Sequence, residues 1–398
     1  MRVSSSGLFQ AAVDAMLRKQ SNIALTQQQL STGYRMPSAA SDPVAWSTAV
    51  SLDRSLAELE QFQTNATMVG NRLLLAEQTL GDVNDRLQRI RELTLQAANG
   101  VNGLSDRRAI AAELQEQLEA LVGQANTSDG NGRFLFGGTQ DASAPFSYSA
   151  LGTTYTGDQT RRQLDVAPHV SVGDVDPGSE VFMRSRTGNG TFTVRPQASN
   201  TGTGAISSAG VTNPALWDGG NYRIVFTAGG NYQVLDAASA VVSSGPYVAD
   251  TPIQFRGISV TISVAPAVGD VFNVAPSGTQ DMFTTVQNVI NTLNSNSITP
   301  TEQARFRNAI FNNLEDLDQI QSHVIDVRAN MGARLHTIDA ANNEREASTV
   351  QLKTTLSSLR DLEYTEAISR LNQEMMALEA AQQTFAKTQD LNLFNYIR

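Results

Sequence analysis

Cysteine is absent from the 398 residues, which excludes disulfides and thiolate metal sites. Such a chain suits the cytosol, and equally an extracellular place reached unfolded. Lysine occurs only as Lys19, Lys353 and Lys387. With a net charge of -10, the chain is not expected to meet nucleic acid, whose phosphates demand clustered Lys and Arg. Aromatic residues make up 6%, which suits long helical seams better than a dense enzyme core. No run of about 18 apolar residues occurs, so no membrane insertion is expected. Ser4, Ser5, Ser6 and Gly7 follow Met1 and Arg2, and Gln10 and Asp14 break the apolar stretch. A cleaved signal peptide is therefore not expected, and a secreted form would need another route.

Chemistry-bearing clusters are equally scarce. His169, His323 and His336 are the only histidines, and the last two stand thirteen apart, which is not the spacing that puts two ligands on one helix face. Glu315, Asp316 and Asp318 read as a charged outer face. Gly188-Asn189-Gly190 is too short for a phosphate loop and no helical pattern follows it. No catalytic, metal or cofactor residue is assigned, and no enzyme is expected.

What is present is seven-residue periodicity at both ends. Phe9, Met16, Ile23 and Leu30 stand seven apart, as do Leu371, Leu378 and Phe385, flanked by Ile368 and Met375. This pattern belongs to helices that pack lengthwise on others. Gln20, Gln27, Gln382 and Gln389 fall in the expected seams, where they weaken pairing and specify register. A long second helix is predicted from about Val44 to Asn99. Its rows are Leu52, Leu59, Ala66, Leu73, Leu80 and Leu87, and Phe62, Val69, Ala76, Val83 and Ile90. Ser105 is the expected cap of a shorter helix carrying Ile110, Leu114, Leu118, Leu121 and Ala125. Helix resumes near Thr279, and Thr299-Pro300-Thr301-Glu302 forms a capping box before Ile310, Leu317, Val324, Met331 and Ile338.

Between these helices the chain turns rich in Gly, Ser, Thr and Val. Phe134-Leu135-Phe136 reads as a short strand. Tyr222–Phe226 and Ile258–Ile262 alternate as strands do, and Gly229-Gly230-Asn231 reads as a hairpin turn. The expected fold is α+β and multidomain: a long coiled-coil-like helical rod formed by the N- and C-terminal segments, with a mainly-β domain inserted at the tip. Terminal helices 1–43 and 360–398 would pair in the assembly core. Residues 44–146 and 283–359 would form the rod, with a β-hairpin near 131–146, and 147–282 the insert.

Leu30-Ser31-Thr32-Gly33-Tyr34-Arg35, followed by Ser41-Asp42-Pro43-Val44-Ala45, resembles the N-terminal signature of bacterial flagellins and their relatives. Asn99-Gly100 with Leu104-Ser105-Asp106-Arg107-Arg108, the segment Ala125–Gly138, and Asp361–Ile368 through Leu391–Ile397 resemble three further family segments, in the family's order. Asp42-Pro43-Val44-Ala45 and the Leu393–Ile397 ending are more similar to the family's hook–filament junction branch than to filament flagellin. The resemblance covers about residues 1–146 and 283–398.

The resemblance implies a structural flagellar subunit in a homo-oligomeric ring between a neighbouring hook-associated protein and flagellin. It also implies export unfolded through the flagellar type III apparatus and a cytosolic export chaperone on the C-terminal segment. Phe9, Met16, Ile23, Leu30, Ile368, Leu371, Met375, Leu378 and Phe385 are the candidate assembly-interface residues. Leu87–Leu93 is similar to the flagellin segment that an innate immune receptor recognises, which makes Gln88, Arg89, Arg91 and Glu92 a candidate surface motif. A filament flagellin and a secreted adhesin-like binding module are the alternatives.

Overall fold

The computed structural model describes residues 5–100, 102–149 and 152–390. Among these, seven α-helices occur: α1 (Ser5–Thr32), α2 (Pro43–Ala98), α3 (Leu104–Ala125), α4 (Gly178–Val181), α5 (Met282–Asn294), α6 (Pro300–Arg360) and α7 (Tyr364–Asp390). The strands lie between α3 and α5. They are β1 (Phe146–Ser149), β2 (Gly152–Tyr155), β3 (Gln163–Ala167), β4 (Val170–Gly173), β5 (Ser185–Arg186), β6 (Phe192–Pro196) and β7 (Ala205–Val211). They continue as β8 (Tyr222–Thr227), β9 (Asn231–Leu235), β10 (Val241–Pro246), β11 (Pro252–Phe255), β12 (Ile258–Ser263), β13 (Val271–Pro276) and β14 (Thr279–Gln280). The long helical ends and mostly-β middle are the fold class that the sequence predicts.

The chain forms two compact units, residues 1–64 with 341–398, and residues 65–340. The expected borders at 43 and 360 fall at breaks between helices. Helical hydrogen bonding runs unbroken through 64 and 341, so those positions carry no sequence punctuation.

Residues 65–340 hold a helical part and a β-sandwich. Leu73, Leu80, Leu87, Ile90, Leu114, Leu118, Val286, Leu293, Leu317 and Val324 are all buried, drawn from α2, α3, α5 and α6. Each such side chain contributes about 1.5–3 kcal/mol of transfer free energy. The capping box forms: Thr299 Oγ1 accepts from Glu302 N at 3.2 Å, and Glu302 Oε2 accepts from Thr299 N at 2.9 Å. Two boundaries differ from expectation. Helix α3 starts two residues earlier than a Ser105 cap implies, with Gly103 as its cap, and the Asp106 carboxylate receives the Gly103 N–H at 3.0 Å. Helix α5 starts after Asp281, whose Oδ1 accepts from Thr284 N at 2.7 Å, and Thr279 belongs to β14.

All strand pairs are antiparallel. A five-stranded sheet (β10-β9-β8-β13-β6) and a three-stranded sheet (β11-β12-β7) share one apolar core. Alternation sets the faces: Tyr222, Ile224 and Phe226 are buried while Arg223 is exposed, and Ile258, Val260 and Ile262 line the core. The β8–β9 hairpin turns through Gly229 and Gly230 at φ 81° and 71°, the left-handed conformation that only glycine adopts freely. Phe134-Leu135-Phe136 is not a strand. It is a turn region closed by a bridge between Ser128 and Phe134, and the first hairpin, β1–β2, begins at Phe146.

The outer-face reading of Glu315, Asp316 and Asp318 is corrected. Asp316 is buried, accepting from Gly188 N–H at 2.6 Å and from Arg195 at 3.1 Å, so it ties α6 to the start of the sandwich. Only Asp318 keeps a largely solvated carboxylate, and it pairs with Arg91 at 2.6 Å. A second ionic cluster escaped sequence reading. Arg72 bonds Asp129 at 2.7 Å and Asp174 at 3.0 Å, and Arg334 bonds Asp176 at 2.8 Å, all largely buried. Burial pushes the Asp129 carboxyl up, but backbone N–H groups of Asn131 and Arg133, together with Arg72, hold it below its ordinary value.

Candidate assembly interface

In the unit of residues 1–64 and 341–398, α1 and α7 pair antiparallel along a narrow seam. Spacings of three and four alternate on both sides. Phe9, Ala12, Met16, Lys19, Ile23 and Thr26 line α1, and Ala367, Leu371, Glu374, Leu378, Ala381 and Phe385 line α7. Phe9 meets Phe385 edge-on, with ring centroids 5.7 Å apart at 89°. The Thr26 hydroxyl lies 3.1 Å from the Glu374 carboxylate across the seam.

Candidate residues Phe9, Met16, Ile23, Leu30, Leu371, Leu378 and Phe385 thus lie half-buried within the chain's own helix pair. Ile368 and Met375 do not: they are 49% and 43% exposed, beside Met376 at 63%. On α1, Val13, Leu17 and Leu25 are likewise exposed. The pair therefore spends one apolar row internally and leaves a second uncovered.

The expected polar seam positions are corrected. Gln20, Gln27 and Gln382 are exposed, one step off the three-four alternation, and the Gln389 side chain lies outside those described. Thr26, Lys19 and Glu374 supply the polarity instead. Gln29 is buried for a different reason, since its amide donates to the Arg35 carbonyl at 2.6 Å.

The break after α1 brings two signature segments together. Gly33 leaves the helix at φ 75°, and a Cβ there would stand 3.0 Å from the Tyr364 hydroxyl. Arg35 N–H donates to Arg360 O at 2.7 Å, Leu362 N–H donates to Gly33 O at 2.9 Å, and the Arg360 guanidinium lies 4.8 Å above the Tyr34 ring. Asp42 then caps α2, its Oδ1 accepting from Ala45 N at 3.0 Å with Pro43 at the first helical position.

In the other unit, Leu87 and Ile90 are buried while Gln88, Arg89 and Glu92 are exposed. Arg89 lies 3.6 Å from Glu92, but its shorter partner is Glu113 on α3 at 2.8 Å. The hydrogen bond and charge of Glu113 raise its pKa further. Arg91, paired with Asp318, reaches α6. The motif therefore links α2 to both neighbouring helices. Such exposed pairs contribute little to stability, up to about 1 kcal/mol.

Two family models match: the bacterial flagellin N-terminal helical region over residues 3–141 and the flagellin C-terminal helical region over 314–397. The chain is 44% identical to the solved FlgL of Xanthomonas campestris, over 77% of this chain and 99% of that one, with a TM-score of 0.72. It is 24% identical to flagellar hook-associated protein 3 of Salmonella typhimurium along the full length of both. The chain belongs to the flagellar hook-associated protein 3 family. Likeness to flagellin itself is shorter: a phase 1 flagellin of Salmonella naestved is 30% identical over 33% of this chain and 26% of its own. In this family member, the N-terminal match runs through α1, α2 and α3 and the C-terminal match through much of α6 and α7, so the α1–α7 pair and the breaks around it lie within the matched regions. Among the described residues no group of His, Cys, Asp and Glu is arranged to hold a metal, and no helix is long and apolar enough to cross a membrane.

Proposed function

We infer that this chain is a structural subunit of the bacterial flagellum at the junction between a hook-associated protein and the filament. It has no catalytic activity in this reading and works outside the cell, exported unfolded through the flagellar type III apparatus without a cleaved signal. The observation that carries the inference is the α1–α7 pair with its uncovered second apolar row: Val13, Leu17 and Leu25 on α1, Ile368, Met375 and Met376 on α7. A two-helix seam is a small core, and exposed apolar rows of this kind mark surfaces that other proteins cover. Copies of the chain in a ring, and the neighbouring hook-associated protein and flagellin, are the expected covers.

Before export the same row needs a different cover. A cytosolic chaperone on residues 360–398 fits, receiving Ile368, Met375 and Met376 as anchors at helical spacing. Leu371, Leu378 and Phe385 are already masked by α1, while Leu391, Leu393 and Phe394 lie outside the described residues. Pull-down with a chain truncated at Leu359 should lose the small cytosolic partner, and undiminished capture would refute this site.

The test of the junction role is a strain lacking the protein. It should be non-motile and should release flagellin into the medium, and motility should return with the wild-type chain. Intact filaments on the deletion strain would refute the role. Deleting residues 150–280 separates it from an adhesin, because assembly would survive that loss and surface adhesion would not.

A further inference from the structure

A polar cleft of about 780 Å³ opens between β6, α5 and α6, inside the unit of residues 65–340. Amides dominate its walls: Asn288 and Asn291 from α5, Asn296 beyond it, Asn312 and Asn313 from α6, and Gln197 after β6. Asn313 is committed, donating to Thr292 Oγ1 at 3.0 Å, and Asn291 accepts from Gln287. Asn312 is not. It is 7% exposed, and its side chain makes no hydrogen bond within the described residues. Solvent in the cleft reaches its amide, and a ligand there would take the place of that water. The half-buried Asn288 and the exposed Gln197 beside it are likewise unspent.

An amide presents a donor and an acceptor side by side, which matches the neighbouring hydroxyls of a sugar ring. The charges at the rim select further. Arg195 is neutralised by Asp316. Backbone N–H groups of Thr299 and Ile298 engage the Glu302 carboxylate and hold it below its ordinary pKa. Arg305 spends one bond on the Asn200 carbonyl at 3.0 Å and makes no contact ion pair, although its charge helps hold the Glu302 carboxylate ionised. A peptide would want apolar anchors, but Phe306 is the one large apolar side chain in the lining. Arg107 already occupies a face of its ring, 4.5 Å from the centroid.

We propose that this cleft binds an acidic oligosaccharide, with Asn312, Asn288 and Gln197 receiving hydroxyls and Arg305 the carboxylate. It binds without cleaving: glycoside hydrolysis ordinarily needs two carboxylates across the bond, and Glu302 is alone in the lining.

Isothermal titration of the full chain tests this, with trigalacturonate as probe and maltotriose as its neutral counterpart. Saturable one-site binding of trigalacturonate is expected, about tenfold weaker in Asn312→Ala and in Asn288→Ala. Arg305→Gln should bind both sugars alike. Neither asparagine side chain bonds within the protein, so both variants should unfold at the wild-type midpoint, and either one suffices for the test. Failure of the wild type to saturate at millimolar trigalacturonate overturns the proposal, as does unchanged binding in both variants. Sugar-independent self-association that Asn312→Ala abolishes, with neither sugar bound, also overturns it and makes the cleft a contact between copies.

Discussion

Asn308 on α6 completes the open edge of a sheet, and its replacement should be costly. The residue is 2% exposed. Its Oδ1 accepts from Ile206 N–H at 2.7 Å and its Nδ2 donates to the Gly204 carbonyl at 3.0 Å. Strand β7 is the edge of the three-stranded sheet, so these groups have no strand partner on that side. Asn308→Leu keeps the branched side-chain shape and strands both groups. A stranded buried polar group costs about 1–3 kcal/mol. Ile206 and Gly204 are both buried, so both groups carry the penalty. Added apolar burial in Leu offsets roughly 1 kcal/mol. The net expectation is a loss of about 2–3 kcal/mol, which at a urea slope of about 2 kcal/mol/M lowers the midpoint by roughly 1 M. Trp217 reports the event, since its ring lies 5.6 Å from Phe192 and 6.0 Å from Tyr222 in the sandwich. A Trp46→Phe background makes it the sole tryptophan. Asn308→Ala should cost more than Asn308→Leu, because it adds a cavity. Midpoints within about 0.2 M of wild type for both variants would refute the reasoning.

Ile368→Asp and Met375→Asp should leave the monomer's helix content unchanged and abolish incorporation into cell-surface filaments. Leu371→Asp or Phe385→Asp should also melt the α1–α7 pair, so circular dichroism separates the two classes, and normal filaments on the first class would refute the interface. Gly33→Ala should destabilise the α1–α7 break by about 1–2 kcal/mol, through its positive φ and the nearby Tyr364 hydroxyl. Limited proteolysis should then cleave near residue 33 faster than in wild type. Burial, with Asp316 beside it, pushes the Glu315 carboxyl up to about 7 from its ordinary 4.5. The folded protein holds that proton more tightly than the unfolded chain. Its contribution is fully present below the unfolded pKa and is lost as pH rises through about 7. Glu315→Gln should therefore flatten the fall of the urea midpoint with rising pH in that window, and an unchanged slope would refute the assignment. Isolated wild-type monomer should be protease-sensitive at residues 1–40 and 360–398, because one narrow seam holds them; full-length resistance in dilute solution would show that the seam suffices.

The sequence by itself determined the helices, the strands of strongest alternation and the family. Leu73, Leu80 and Leu87 declare a buried face because period 3.5 admits few other structures, and Tyr222–Phe226 declares a strand because period 2 does the same. Signature segments around Gly33 and Asp361 were legible as motifs, but that they bond to each other was not. The tertiary structure alone decided which apolar row α7 spends on α1. Ile368 and Leu371 are equally apolar in one dimension, and only the packed partner makes one half-buried and the other exposed. It also decided that Asp316 is buried and that Asn312 faces a cleft without a partner. A carboxylate or an amide on a helix looks solvated until a strand arrives beside it, and those strands come from more than a hundred residues away. Periodicity records which face of a helix is covered, whereas the identity of the cover and the fate of single polar groups depend on contacts that local sequence does not encode.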